Sequence, residues 1–287
     1  MKNLLTIALV LTITVATSIQ AETCVFNGSV DNSWFTPGNW DNSTVPTSTS
    51  NVWLNTGGSP TVDATGAVGA DMIVGLYGFV GNLTINPSCD LTLSGITLVG
   101  NSINDQGSIL NNGSYNTGTI YMRGESTFVN NGTLNISGGL NMGDMAGSTS
   151  QFTNTGTITV DDWFYCSVAS TEAAIFNMNG GLMVNGRFEQ QGGVSVFNLN
   201  AGIVSNAVAN WNGTGDGTIV VDNGEMYTAG DHTNTLNWLI SVDLITGAGS
   251  KTPYSTYDGS YTKLAAIPEP ATIGSIAILG LAFLRRK

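Results

Sequence analysis

Charge is scarce in this chain, and positive charge is the scarcest. Only 10% of the 287 residues are charged, with 8 Lys and Arg against 20 Asp and Glu, and the single histidine, His232, lies in a polar loop. One histidine excludes a zinc site built on paired histidines and makes a Ser-His-Asp triad depend on that residue. The Gly-x-Ser-x-Gly motif and the phosphate-binding Gly-Lys-Ser/Thr loop are absent. The sequence therefore predicts no catalytic residue, no metal ligand and no cofactor.

Cysteine is also rare. The three cysteines, Cys24, Cys89 and Cys166, are widely spaced, which is not a zinc-binding pattern. Cys166 falls at an inward position of a sequence repeat, so we expect it to be a small core residue. Cys24 and Cys89 could form a disulfide in an oxidising compartment, and the sequence leaves that pairing open.

A sequence repeat occupies the middle of the chain, from Phe128 to Ser205. Four segments share one pattern and begin 24, 24 and 21 residues apart, at Phe128, Phe152, Phe176 and Phe197. A weaker copy begins at Ile109. Repeats of this length are typical of solenoids, in which each copy forms one coil and its neighbours bury its apolar face.

Within each copy, apolar and polar residues alternate, which predicts strands because strand side chains repeat with a period of two. Counted from the phenylalanine, position 6 holds Leu134, Ile158, Leu182 and Ile203. Position 8 holds Ile136, Val160 and Val184, and the pattern fails at Ser205. A second strand follows at positions 12 and 14, with the pairs Leu140 and Met142, Phe164 and Cys166, and Phe188 and Gln190.

Corners are expected at position 4 of each copy, which holds Gly132, Gly156, Gly180 and then Ala201. Asn-Gly steps tolerate a positive φ at low cost, so the chain can turn there. Stacked coils would then place phenylalanine over phenylalanine at about 4.7–4.9 Å. The predicted fold is all-β, a single-stranded parallel β-helix, or β-solenoid, with N- and C-terminal caps. An ordinary β-sandwich with accidental internal similarity is the alternative.

The coils are expected over residues 61–208. Before the phenylalanine repeat, apolar pairs recur between Gly or Pro corners, at Leu83 and Ile85, Leu91 and Leu93, and Ile96 and Leu98. Residues 209–266 are expected to form the last coils and a C-terminal cap, with a strand at Thr218–Val221. Residues 236–245 form a dense apolar run that is either a strand or a helix, and a last strand is expected near residues 257–264.

Residues 1–21 are expected to form a secretory signal peptide. Lys2 precedes an apolar run from Leu4 to Val15, and Ala21 ends a cleavage site. A transmembrane helix is the alternative, but the run is shorter than the ~20 residues that a span needs.

Residues 22–60 contain Trp34, Trp40 and Trp53. They are expected to cap the first coil, and a sugar-stacking platform is the alternative reading. This stretch loosely resembles the start of many repeat-rich, autotransporter-like bacterial surface proteins.

Residues 267–287 carry the most specific signal of the chain. Pro268, Glu269 and Pro270 precede an apolar run from Ala271 to Leu284, and Arg285, Arg286 and Lys287 end the chain. As a helix the run would reach about 21 Å, short of the ~30 Å hydrocarbon core of a bilayer. The basic end would stay on the cytoplasmic side. A plain tail anchor is one reading.

These residues closely resemble the PEP-CTERM sorting signal of exported bacterial proteins. The resemblance implies a C-terminal hydrophobic helix that holds the chain transiently in the inner membrane. It also implies an exosortase as the partner that recognises and processes the tail, and a bacterium that makes exopolysaccharide. The resemblance identifies the site residues as Pro268, Glu269, Pro270, Arg285, Arg286 and Lys287.

Removal of both ends leaves a strongly acidic chain. Before Pro268 the mature chain keeps four basic residues (Arg123, Arg187, Lys251 and Lys263) against 19 acidic ones, a formal charge of −15. Such a surface disfavours nucleic acid and anionic lipid. It tolerates neutral glycans or divalent cations, and calcium binding is left open.

One group of charged residues has the composition of a polysaccharide-cleaving site. Asp161 and Arg187 share an outward parity in neighbouring coils, with Asp162 and Glu189 nearby. Such a group is more often an exposed ion pair of under ~1 kcal/mol. We therefore expect a non-enzymatic, exported structural or adhesive protein at the cell surface or in the extracellular matrix, associated with exopolysaccharide. A polysaccharide-cleaving enzyme and a glycan-binding module are the alternatives.

Overall fold

The structure, a computed structural model, describes residues 21–166, 173–190, 194–210 and 217–268. About 58% of these described residues are in strands and about 5% are helical, and the strands form a parallel β-solenoid of about nine turns. The predicted all-β class and parallel β-helix are confirmed. Residues 1–20 of the expected signal peptide and the tail from Glu269 lie outside the described residues.

The coils have three faces, each a parallel sheet that runs along the solenoid. The first sheet contains β3 (Thr61–Val62), β6 (Val80–Ile85), β9 (Gln106–Asn111), β12 (Glu125–Asn130), β15 (Thr149–Asn154), β19 (Thr218–Val221) and β21 (Ile245–Gly247). The second contains β4 (Ala67–Gly69), β7 (Asp90–Leu93), β10 (Ser114–Thr117), β13 (Thr133–Ile136) and β20 (Glu225–Ala229). The third contains β1 (Thr23–Val25), β2 (Asn51–Leu54), β5 (Met72–Val74), β8 (Ile96–Val99), β11 (Thr119–Met122) and β14 (Leu140–Met142).

Three long strands join more than one sheet because they bend without leaving extended backbone. They are β16 (Thr157–Cys166), β17 (Ala173–Gln190) and β18 (Val194–Asn210). β16 pairs with both β13 and β14, and β17 pairs with β15 and β16. Strands β17 and β18 carry Phe176 and Phe197, which continue the repeat of Phe152 on β15 into the upper coils.

The phenylalanines of the repeat form one interior column. Phe128 is in register with Phe152, Phe152 with Phe176, and Phe176 with Phe197. Successive ring centroids lie 4.8, 5.0 and 4.9 Å apart and the rings are stacked. This spacing is that of neighbouring strands. Ile109 lies below Phe128 in the same column, as the weaker copy predicts.

A buried asparagine ladder runs beside this column. The Nδ2 group of Asn111 donates to Oδ1 of Asn130 at 2.7 Å, and that of Asn130 donates to Oδ1 of Asn154 at 2.8 Å. The same Nδ2 groups also donate to the carbonyl oxygens of Thr133 and Thr157 at the next corner. Buried amides need such partners, and here each coil supplies them to the next.

The glycines at the corners are required by close approach and not by a positive φ. The chain turns at Gly132 and Gly156 as expected, but neither glycine uses the positive φ that these steps allow. A Cβ at Gly132 would overlap the carbonyl oxygen of Gly113, and one at Gly156 would overlap that of Gly132. The backbone of each corner lies directly on the corner below, which leaves no room for a side chain.

The predicted register fails in the last two copies. Phe152 and Ile158 are six residues apart, but Ile158 pairs with Met183, which is seven residues after Phe176. The extra residue reverses the parity, so Met183 is buried. Leu182, Val184 and Ile203, which were expected in the core, are 39%, 40% and 44% exposed.

The same inserted residue moves the glycine column. A Cβ at Gly181, not at Gly180, would overlap the carbonyl oxygen of Gly156, and Gly181 has φ +70°. Strand β17 is correspondingly irregular between Met178 and Leu182. The corner therefore absorbs one residue without breaking the stack.

The parity expected for β8 is also wrong. Thr97 and Val99 face the core, and Ile96 is exposed. The Thr97 hydroxyl is bonded to the hydroxyls of Tyr115 and Thr117, so the buried oxygens satisfy one another. Burial raises the pKa of Tyr115.

Residues 22–60 contain β1 and β2, the first two rungs of the third sheet, together with a cluster of buried aromatic side chains. Trp34 and Trp40 are fully buried, with ring centroids 5.0 Å apart, and Phe26 contacts Trp40 edge-on at 5.1 Å. The Nε1 group of Trp40 donates to the carbonyl of Trp34 at 2.9 Å. A short 3-10 helix, Pro37–Asn39, lies between the two tryptophans.

The far end is closed by a helix and an antiparallel hairpin. Helix α1 (Thr233–Ser241) buries Leu236 and Leu239, so the apolar run at 236–245 begins as a helix. Strands β22 (Lys251–Tyr257) and β23 (Tyr261–Pro268) pair antiparallel, and β23 also pairs antiparallel with β20. An antiparallel strand ends the parallel stack, which is how a cap limits further pairing.

The three cysteines are free in this structure. Cys24 lies on the first rung of the third sheet, whereas Cys89 lies at a corner before β7, so the two are not paired. Cys166 is in register with Met142 and fully buried, as expected. Burial raises the pKa of its thiol to about 12.

Candidate functional site

A cleft of about 460 Å³ lies on the outer side of the first sheet and crosses four coils. Its floor is formed by two outward columns of side chains on β6, β9, β12 and β15. One column holds Val80, Gln106, Glu125 and Thr149, and the other holds Asn82, Ser108, Thr127 and Gln151. The cleft therefore runs along the solenoid axis, with equivalent groups about 4.8 Å apart.

The chemistry of the cleft is that of amides and hydroxyls. Among the described residues of its lining, Glu125 is the one that is charged, and its Oε2 atom accepts a hydrogen bond from Nε2 of Gln106 at 2.8 Å. Amide and hydroxyl groups both donate and accept, so the surface suits a ligand that does the same. The volume lies within the range of about 300–1,000 Å³ that is common for ligand sites.

An aromatic corner borders the cleft where β5 turns into β6. Tyr77 is 71% exposed and Phe79 is 54% exposed, directly before Val80 of the cleft. The Tyr77 ring meets the half-buried Trp53 edge-on, with centroids 6.4 Å apart. Two large rings exposed side by side next to a polar cleft contrast with the phenylalanines of the repeat, which are buried.

The charged group predicted from the sequence is arranged differently from expectation. Arg187 is in register with Trp163, and Asp161 and Asp162 lie exposed at an irregularity between Val160 and Trp163. Nη2 of Arg187 forms an ion pair with Oε2 of Glu189 at 3.1 Å. Arg187 and Glu189 are thus brought together, and Arg187 has Trp163 as its neighbour in place of Asp161.

Aromatic contacts stabilise the Arg187–Glu189 pair. The Arg187 guanidinium lies 3.8 Å from the Trp163 ring centroid, and Trp163 stacks on Tyr165 at 5.1 Å. Burial, followed by the nearby Glu189 charge, raises the pKa of Tyr165. A guanidinium that contacts an indole ring and a carboxylate stabilises neighbouring coils.

The tryptophans and the histidine that the sequence brought into consideration pack against, or lie close to, other parts of the fold. Trp34 and Trp40 are buried, which contradicts a sugar platform built on them. His232 precedes α1, and its Nε2 atom lies 3.0 Å from the Ala229 carbonyl oxygen. Of the sorting-signal residues, Pro268 ends β23, and Glu269, Pro270, Arg285, Arg286 and Lys287 lie outside the described residues.

Within the described ranges, no group of three or more His, Cys, Asp or Glu side chains is placed to hold a metal ion. None of the helices in that part of the chain is long and apolar enough to span a membrane.

Comparisons with protein-family models, with curated proteins and with solved structures find no match. The function therefore has to be argued from the geometry of the coils and of the cleft.

Sequence reasoning missed the aromatic corner and the cleft. The signal for the corner is the stretch Leu76–Tyr77–Gly78–Phe79, in which two aromatics flank a glycine between two strands. Turn residues are usually small or polar, so aromatic residues at this position favour a binding role at the surface. The cleft could not be seen in the sequence, because it depends on how four coils are aligned.

Proposed function

We propose that this chain is a non-enzymatic, exported structural or adhesive protein whose solenoid contacts exopolysaccharide at the cell surface or in the extracellular matrix. The observation that carries the proposal is the polar cleft along the axis of the first sheet. A linear polymer of hydroxyl-bearing units presents the same groups at intervals, and the stacked coils present amides and hydroxyls at intervals in return.

Delivery is assigned to the two ends of the sequence. A signal peptide over residues 1–21 would start export, and the stretch from Pro268 to Lys287 would hold the chain in the inner membrane until an exosortase processes it. The solenoid between these two segments is suited to an extracellular location, because its interior is closed by caps at both ends and its surface is acidic.

Polysaccharide cleavage is less well supported as a function. Glycosidases place two carboxyl groups about 5–10 Å apart across the scissile bond. The described lining of the cleft contains one carboxylate, Glu125, already bonded to Gln106. The Arg187–Glu189 pair lies on a different face, against Trp163 and Tyr165.

Cell fractionation tests the proposal. The full chain and a chain ending at Ile267 would be expressed in a bacterium that has an exosortase and in its exosortase deletion. We expect the full chain at the surface or in the matrix, and its retention in the inner membrane when the exosortase is deleted. If neither the truncation nor the deletion changes where the protein accumulates, the sorting part of the proposal is wrong.

A further inference from the structure

We infer that the cleft binds an uncharged polysaccharide lying parallel to the solenoid axis, and that Tyr77 and Phe79 stack on a sugar ring at its end. The inference rests on the proposed function, since it names the ligand of the same face. Three observations carry it: the strained presentation of the aromatic corner, the repeated polar groups of the cleft, and the distribution of charge.

The aromatic corner is held at the surface against a conformational cost. Tyr77 has φ +60°, in the left-handed region that non-glycine residues rarely adopt, and such strain costs about 1–3 kcal/mol. A fully buried carboxylate, Asp105, fixes the turn because its Oδ1 atom accepts a hydrogen bond from the Gly78 amide at 2.6 Å. A strained backbone and a buried side-chain hydrogen bond thus hold two exposed rings at this turn.

Aromatic faces and edges bind apolar surfaces that have polar rims. A sugar ring is such a surface, with C–H groups on one face and hydroxyls around its edge. Trp53 supports Tyr77 from the side, which leaves the exposed part of the tyrosine ring available. The corner adjoins Val80, so a ring stacked there continues directly into the cleft.

The cleft offers the same kinds of group on four successive coils. Asn82, Ser108, Thr127 and Gln151 stand in one line, each in register with the next. A polymer lying along a single strand would meet side chains of only one coil, whereas one lying along the axis, and so across the strands, meets an amide or hydroxyl on every coil. The axial direction is therefore favoured.

The charge of the site excludes an acidic glycan. Glu125 is the one charged residue among the described residues of the lining, and the chain as a whole has a formal charge of −12. A uronic-acid polymer would bring further negative charge against both, and the described lining offers no cation to pair with it. The ligand class is thus a neutral polysaccharide.

Direct binding measurements on the full chain, purified in mild detergent, test the inference. The probes are neutral hexasaccharides derived from cellulose, mannan and dextran, with oligomeric alginate as the carboxylated comparison, measured by titration calorimetry. We expect at least one neutral probe to bind and alginate not to bind.

The decisive variant is Tyr77→Gly. Glycine tolerates φ +60°, so the variant keeps or raises the melting temperature while it removes the ring. We expect affinity about tenfold weaker for Tyr77→Gly and for Phe79→Ala, as for loss of one aromatic contact, and near-normal affinity for Tyr77→Phe. Trp238→Ala is the matched control, because Trp238 is as exposed as Phe79 but lies on α1 at the opposite end.

Three outcomes would overturn the inference: no neutral probe binds the native chain, alginate binds best, or Tyr77→Gly binds as well as the native chain. These results are separable from failure of the proposed function. Fractionation reports on delivery by the tail, whereas calorimetry reports on the cleft of the purified chain whatever its location in the cell.

Discussion

The lower coils, residues 80–166, and the upper coils, residues 173–210, are built from the same repeat but have different interiors. In the lower coils the amides of Asn111, Asn130 and Asn154 bond to one another and to backbone carbonyls. In the upper coils Met178 and Leu199 continue that column. There the inserted residue turns Asn185 inward on the second sheet, where neither side-chain polar atom has a hydrogen-bond partner among the described residues.

The difference shows that the corners set the parity of each strand. The phenylalanine column continues unchanged through both regions, because it precedes the corner. On the second sheet the side chains after this corner change face, since a shift of one residue exchanges the two sides of a strand. The earlier register returns on the third sheet, where Phe188 again pairs with Phe164. The stack tolerates the exchange because the three sheets remain parallel and in contact.

The largest expected effect is that of Asn130→Leu. The change leaves the side-chain Nδ2 group of Asn111 and the side-chain Oδ1 atom of Asn154 without their ladder partners. Each buried group that loses its hydrogen bond costs about 1–3 kcal/mol. We expect a loss of about 4 kcal/mol in the free energy of unfolding, measured by urea denaturation. The matched variant Asn185→Leu should instead stabilise the chain by about 1 kcal/mol, since it removes a buried amide that has no partner. Losses of equal size in both variants would contradict the comparison.

The second prediction concerns the glycine columns. Gly156→Ala should destabilise the chain by about 3 kcal/mol, the upper range for overpacking, because its Cβ overlaps the Gly132 carbonyl. Gly180→Ala should change stability by less than about 0.5 kcal/mol, because the nearest atom to its Cβ lies 3.8 Å away. Thermal unfolding of the two variants separates the observed register from the simple repeat, in which both glycines are equivalent.

A third prediction tests the reversed parity directly. Met183 is fully buried and Leu182 is 39% exposed, so Met183→Ala should cost about 2–4 kcal/mol. Leu182→Ala should cost less than about 1 kcal/mol, as for a surface residue. Chemical denaturation of both variants gives the two losses in the free energy of unfolding, which can then be compared. A larger loss for Leu182→Ala would restore the register expected from position 6 of the repeat.

The smallest effect concerns the closure of the upper coils by the C-terminal hairpin. The hydrogen bond from Lys263 and then that from Tyr227 lower the pKa of Glu225, and the bond to Glu225 raises the pKa of Lys263. A lowered carboxyl pKa contributes stability above the ordinary value of 4.5, and that stability is lost as the pH falls through the folded-state pKa. The lysine contribution is present below its ordinary value of 10.5 and is lost above its raised pKa.

The pair is partly exposed, so its effect should stay below about 1 kcal/mol. Unfolding measured between pH 6 and pH 3 should show a smaller acid-induced loss for Glu225→Gln than for the native chain. Glu125→Gln is the control, since Glu125 lies in the cleft and has no lysine partner. Identical acid sensitivity in Glu225→Gln and the native chain would show that this pair does not hold the hairpin.

The sequence was sufficient to predict the solenoid, the phenylalanine column and the second strand of each copy, because these depend on spacing alone. Phe164 over Leu140 and Cys166 over Met142 confirm that part. It was not sufficient to predict the face of Leu182 or of Ile96, because one residue absorbed at a corner leaves the composition of a strand unchanged. The sequence could give Tyr77 as an aromatic in a turn, but its strained φ and its position beside the cleft depend on tertiary contacts such as Asp105 to Gly78.

The asparagine ladder gives the solenoid a direction of growth. Each amide donates to the coil that follows it in the chain, from Asn111 to Asn130 to Asn154, and Asn154 donates onward to Sδ of Met178 at 3.3 Å. When these three coils form in chain order, the last one formed presents an asparagine N–H group to the coil that follows. The next turn of the polypeptide closes it, so vectorial assembly needs no rearrangement of the rungs already in place.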